Sequence, residues 1–162
     1  MSLSHVDGSG KARMVDVSGK PVSAREAMAR GRVRMSPQAF EAVQENAVAK
    51  GDVLTVAQVA GITAGKRTGE LIPLCHPLGL DSLDVRVELD AQLPGVTVEA
   101  IARVVGRTGV EMEALTAVAV ACLTVYDMTK AIDRSMVIEQ VRLISKTGGA
   151  HGDWHSGDEV QS

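Results

Sequence analysis

An α+β fold, with helices packed on one face of an antiparallel sheet, is what this sequence predicts, and three observations predict it. First, two regions alternate with a period of two: Ala27, Ala29, Gly31, Val33 and Met35 against Arg30, Arg32 and Arg34, then Leu83, Val85, Val87 and Leu89 against Asp84, Arg86, Glu88 and Asp90. Such alternation is a half-buried strand. Second, helical spacing separates the two regions. Third, Gly109 to Lys130 is apolar almost throughout its centre, Ala114 to Val125, and as a helix would be buried all round.

Each element has its own signal. Residues 1–10 are polar and rich in glycine and serine, a flexible leader. A short strand is expected at Met14 to Val17. Ser36-Pro37 starts a helix, with serine as N-cap and proline at the first helical position. Phe40, Val43 and Ala47 carry it to a stop at Gly51. Asp52 caps a second helix through Val53, Val56, Val59 and Ala60, and Gly61 and Gly65 weaken its last turns. Ala64 to Leu80 is irregular, because Pro73 and Pro77 forbid a long helix. Pro94-Gly95 turns the Leu83–Leu89 strand into a partner at Val96 to Val104. The apolar helix follows, then a strand at Met136 to Lys146. Gly148-Gly149 ends the ordered chain, leaving 150–162 as a flexible tail and 11–149 as one domain. From Ala27 the order is β, α (two helices in series), β, β, α, β, the split order of a ferredoxin-like domain.

The whole-chain numbers narrow the function classes. A chain of 162 residues with 45% hydrophobic and 23% charged residues is ordinary for a globular domain. A formal net charge of -3 gives no general pull toward nucleic acid or an anionic membrane. Phe40, Tyr126 and Trp154 are its only aromatics, too few for a stacking platform for single strands. Cys75 and Cys122 suggest no disulfide framework, and the N-terminus lacks a signal pattern. These features point to a reducing, cytoplasmic setting.

Some chemical signals are decoys. Gly61-Ile-Thr-Ala-Gly65-Lys66 has three residues between glycines where a phosphate loop needs four, and Arg67 stands where Ser or Thr is required. His151, Asp153 and His155 lie in the tail, where solvation outweighs metal binding. Lys66, Arg67, Glu70, Cys75 and His76 crowd one irregular segment, and loops on a rigid scaffold concentrate function. Glu111 and Glu113 sit in the first turn of the apolar helix, where the helix dipole alone would favour them. Asp127 and Lys130 are spaced as an ordinary surface ion pair, yet they follow a helix too apolar to have a wet face one turn later. Glu113 and Asp127 are fourteen residues apart, about 21 Å along a helix. A small-molecule pocket does not readily use both ends of such a rod from one subunit, so either the helix starts after Glu113, or the chain folds back near Asp127, or the site is shared between subunits; we favour the last, a homo-oligomer.

At these residues the sequence resembles the molybdenum cofactor biosynthesis protein C family, the cyclic pyranopterin monophosphate synthases. The matching stretches are MVDVSGK, KGDV, AGKRTGELIPLCHPL, GRTGVEMEALTAV, LTVYDMTKA and VRLISKTGG, in one register between Met14 and Gly149. The resemblance implies a lyase that converts 3′,8-cyclo-7,8-dihydro-GTP to cyclic pyranopterin monophosphate with release of pyrophosphate. It implies a ferredoxin-like subunit in a hexamer of three dimers with interface sites. It matches Asp127 to the active-site acid, and Leu74, Cys75, His76, Met112 and Glu113 to substrate-binding positions. Lys50, Lys130, Glu111 and Arg25 match further pocket positions. Gly69 departs from the family pattern, which places Trp there. Lys50 and Lys130 are expected as general acid and base, with Asp127 orienting Lys130. Arg25, Lys66 and His76 are expected on the triphosphate, and Glu111 and Glu113 on N–H donors of the guanine edge. No cofactor is required; Mg2+ accompanying the triphosphate is compatible, without a dedicated metal cage. A non-catalytic ferredoxin-like nucleotide-binding module and an inactive family member are the alternatives.

Overall fold

The computed structural model describes residues 6–157; the first half of the expected leader and the end of the tail lie outside the described residues. Five strands, β1 (Ser23–Arg34), β2 (Ser82–Asp90), β3 (Gly95–Gly106), β4 (Val137–Thr147) and β5 (Trp154–His155), form one antiparallel sheet in the order β2-β3-β1-β4-β5. The first four follow the ferredoxin-like order. Helices α1 (Pro37–Gln44), α2 (Val53–Lys66), α3 (Thr68–Leu71) and α4 (Glu111–Thr129) complete the chain. α2 lies along α4, and both pack on one face of the sheet.

The alternations fold as expected. Ala27, Ala29 and Val33 are buried beneath the helices, whereas Arg30, Arg32 and Arg34 face out. Those arginines are tied to acids: Arg30 to Glu99 at 2.7 Å, Arg32 and Arg34 to Glu139 at 3.1 and 3.5 Å. The basic outer face is therefore a solvated, ion-paired one. Ser36 caps α1 through the Ala39 N–H at 3.2 Å, and Asp52 caps α2 through the Thr55 N–H at 3.0 Å.

Several expectations need correction. Met14 to Val17 forms no strand, although the Val15 carbonyl becomes a partner of His76. α1 stops at Gln44, not Gly51, because Asn46 takes a positive φ of 54° and breaks the helix. The segment expected to be irregular contains the single turn α3. α2 continues through both glycines to Lys66. A Cβ at Gly61 would stand 3.0 Å from the Ala117 carbonyl, and one at Gly65 would stand 3.2 Å from the Glu113 carbonyl and collide with Leu83. The glycines are contact points where α2 meets α4. The same placement removes the phosphate-loop reading, since residues 61–66 are helical.

α4 is not buried all round. Met112, Leu123 and Asp127 form an open stripe, with Leu123 57% exposed. By length and composition α4 would suffice to cross a membrane, but Val118, Cys122 and Val125 are fully buried against α2 and the sheet, as in a core helix. Finally, the chain does not lose order at Gly148-Gly149. Residues expected in a loose tail return as β5 along β4.

Candidate active site

The potentially reactive side chains gather at the two ends of α4. At its C-terminal end, Asp127 divides its carboxylate between two lysines. Oδ1 accepts from Lys130 Nζ at 2.7 Å and Oδ2 from Lys50 Nζ at 2.6 Å. Lys50 Nζ also donates to the Asp127 backbone carbonyl at 3.1 Å. Lys130 caps α4, and Lys50 stands in a turn before α2 closed by Gly51 at φ 104°. The hydrogen bonds from Lys130, then Lys50, hold the Asp127 carboxyl down at about 2. All three side chains are about half exposed. The expectation of a dry environment here is therefore wrong for the single chain: the open stripe of α4 reaches this turn.

The N-terminal end is more enclosed. Arg25 leans from β1 onto the loop before α4, donating through Nε to the Gly106 carbonyl at 3.1 Å and through Nη2 to the Arg107 carbonyl at 3.2 Å. Glu111 pairs with Lys146 of β4 at 2.6 Å, both partly buried. Glu113 is 4% exposed. Burial raises its carboxyl above the ordinary glutamate value, and the neighbouring Glu111 adds to the rise. Glu113 lines a cavity of about 150 Å³ with Lys66, Gly69 and Pro77. Cys75 lies close enough to both glutamates to feel them. Burial first, then Glu113 and Glu111, push its thiol up, so Cys75 is a protonated, weakly nucleophilic wall. Leu74 and His76 are half-buried beside it. His76 Nε2 lies 2.6 Å from the Val15 carbonyl, and since a carbonyl only accepts, Nε2 carries the hydrogen.

The structure thus brings Glu111, Glu113, Cys75, Lys66 and Arg25 to one end and Lys50, Asp127 and Lys130 to the other. Met112, 36% exposed, opens outward on the α4 stripe. Lys146 was missed from sequence. Two register shifts in the β1–β4 pairing interrupt the alternation of β4, obscuring that Lys146 opposes the buried Ala27 and so faces the helices. At Gly69 a Cβ would stand 3.0 Å from the Pro77 Cα, so glycine lets α3 rest directly on the Cys75-His76-Pro77 segment.

Comparison with known proteins identifies the family. The model of the MoaC family matches residues 14–149. This chain belongs to the MoaC family. It is 57% identical over 157 residues to the cyclic pyranopterin monophosphate synthase of Thermomicrobium roseum, covering 97% of this chain and 95% of the relative. It is 54% identical over 156 residues to that of Brucella ovis, covering 96% and 94%. It is 55% identical over 152 residues to that of Parvibaculum lavamentivorans, covering 94% and 95%. Both clusters fall inside the part of the chain that the MoaC family model matches.

Proposed function

We propose that this protein is a lyase of molybdenum cofactor biosynthesis. It converts 3′,8-cyclo-7,8-dihydro-GTP to cyclic pyranopterin monophosphate and releases pyrophosphate. The observation that carries the reading is the Lys50–Asp127–Lys130 triad. A carboxylate whose two oxygens each position a lysine suits proton transfer to and from ring nitrogens. The same cations suit charge developing on phosphate as the cyclic ester forms and pyrophosphate leaves. The relatives' names point to the same product.

At the other end of α4, Glu111 and Glu113 receive N–H groups of the guanine-derived edge. The raised carboxyl of Glu113 makes it the one suited to exchange a proton there. Arg25, Lys66 and His76 hold the phosphates, with Lys146 beside them and any magnesium carried in on the triphosphate. Leu74, Cys75 and Met112 line the walls. A cytoplasmic location fits two free thiols, Cys75 and Cys122.

The ends of α4 are separated by about 21 Å along the helix, so a complete site takes one end from each of two subunits. This favours a homo-oligomer, a hexamer of three dimers, with sites at interfaces. The deciding experiment is a single-turnover reaction with the cyclised dihydro-GTP, following pyrophosphate release and oxidised-pterin fluorescence together. Both signals are expected. Binding without either would make the protein a nucleotide-binding module. Lys130→Ala should abolish product with the fold intact. Refolding a mixture of Lys130→Ala and Glu113→Ala, each inactive alone, should restore activity through mixed oligomers; persistent inactivity would argue against shared sites.

A further inference from the structure

Beyond β4 the chain turns back through Gly148, Gly149 and Gly152, at φ 84°, 90° and 72°. Glycine enters this region without steric cost. The turn is tied by the Asp153 carboxylate, which accepts the Gly148 N–H at 3.1 Å, and the Ser156 N–H donates to the Ile144 carbonyl at 2.8 Å. The returning strand β5 places Trp154 opposite Lys146 and His155 opposite Ser145. Directly opposed residues of an antiparallel pair project to the same face, with Cα atoms about 4.5–5.5 Å apart. Lys146 projects to the helix face, because it opposes Ala27 in β1 and its Nζ reaches Glu111. Trp154 therefore stands on the helix face beside the Glu111–Lys146 pair. Trp154 is 44% exposed, and its indole is the only one in the chain. A Cβ at Gly149 would run into the Arg25 guanidinium, so the same turn closes on a second residue of this cluster.

We propose that Trp154 is a substrate-binding residue, its indole forming a wall against which the planar, nitrogen-rich ring of the substrate stacks at the Glu111 end of α4. This rests on the synthase reading above for the identity of the ring. A two-residue edge strand buries too little to need an indole for packing. A rigid, half-open aromatic surface beside hydrogen-bonding and cationic groups is what a purine-like ring requires. The segment lies beyond residues 14–149, the part that the family model matches.

The test uses full-length wild type, Trp154→Ala and Trp154→Phe, with circular dichroism to verify folding. With the cyclised dihydro-GTP, Trp154→Ala should raise KM about tenfold, as expected for one lost stacking contact. It should leave kcat within about twofold, and Trp154→Phe should recover most of the loss. Separately, the emission of the single tryptophan should change when wild type is saturated with GTP, an unreactive ring-and-triphosphate probe, with saturation fixed by calorimetry. Unchanged emission at saturation overturns the proposal, as does a Trp154→Ala KM equal to wild type. The GTP arm needs no turnover. A protein whose emission responds to GTP but which does not convert the cyclised nucleotide keeps the wall and loses the synthase reading.

Discussion

The two ends of α4 use the same functional group in opposite ways. Glu113 is buried against α2, and its carboxyl is lifted by lost solvation. Asp127 is open to solvent, and its carboxyl is lowered by two lysine donors. Burial disfavours a carboxylate's charged form, whereas hydrogen bonds to that form favour it. One helix thus carries an acid whose charged form is disfavoured and another held as an anion. The division of labour in the proposed site follows from environment alone.

The strongest way to break this contrast is Asp127→Asn. It removes the charge that gathers Lys50 and Lys130 while keeping the shape. Activity should fall by about 100-fold or more, and the melting temperature should barely move because the residue is exposed. A variant retaining most of its single-turnover rate would end the triad's role. Next is Gly65→Ala, which pushes a methyl toward Leu83 and the Glu113 carbonyl. Overpacking of this kind costs about 1–3 kcal/mol, partly offset by alanine's helix preference of about 1 kcal/mol. Urea denaturation should show a net loss.

A smaller effect separates the two carboxyls by pH. Because Glu113 titrates higher folded than unfolded, the native state binds the extra proton above the ordinary value of 4.5. Its contribution is thus fully present below that value and is lost as pH rises through the folded value. Wild type should lose stability relative to Glu113→Gln across that rise, and the two melting curves should converge in acid. Asp127 has the reverse sign: its contribution is present above 3.8 and disappears as pH falls toward about 2. The smallest change is expected from Arg30→Ala, which breaks an exposed pair with Glu99 on the far face of the sheet. Such pairs contribute ~0.2–1 kcal/mol, and turnover should be unaffected. A large activity loss there would mean that charge outside the ends of α4 matters to the reaction.

Much of this arrangement was legible in the sequence. Period-two runs from Ala27 and Leu83 and the apolar block after Glu113 determine the ferredoxin-like order, because each reports burial directly. The spacing of Glu113 and Asp127 already separated the two clusters. Gly61 and Gly65 misled because their value is tertiary: they read as helix breakers until α4 lies against them. The glycines after Lys146 read as a loose end for the same reason, although their positive φ values build the turn into β5. The link between Lys50 and Asp127 joins residues far apart in sequence, so spacing offered no sign of it and only the family resemblance put them together. The wet face at Asp127 was missed because the apolar content of α4 conceals one uncovered stripe.

Asp127 also acts as a clasp between two parts of the chain. Its two carboxylate oxygens are set at a covalently fixed separation, and each holds one lysine nitrogen. The Asp127 carbonyl also accepts from Lys50, so this one residue ties the end of α4 to the loop before α2 at two points. Exchange of Asp127 for glutamate would keep every charge but move the carboxylate away from the carbonyl that shares Lys50. Three contacts on one exposed residue thus hold two lysines from distant parts of the chain at the same end of α4.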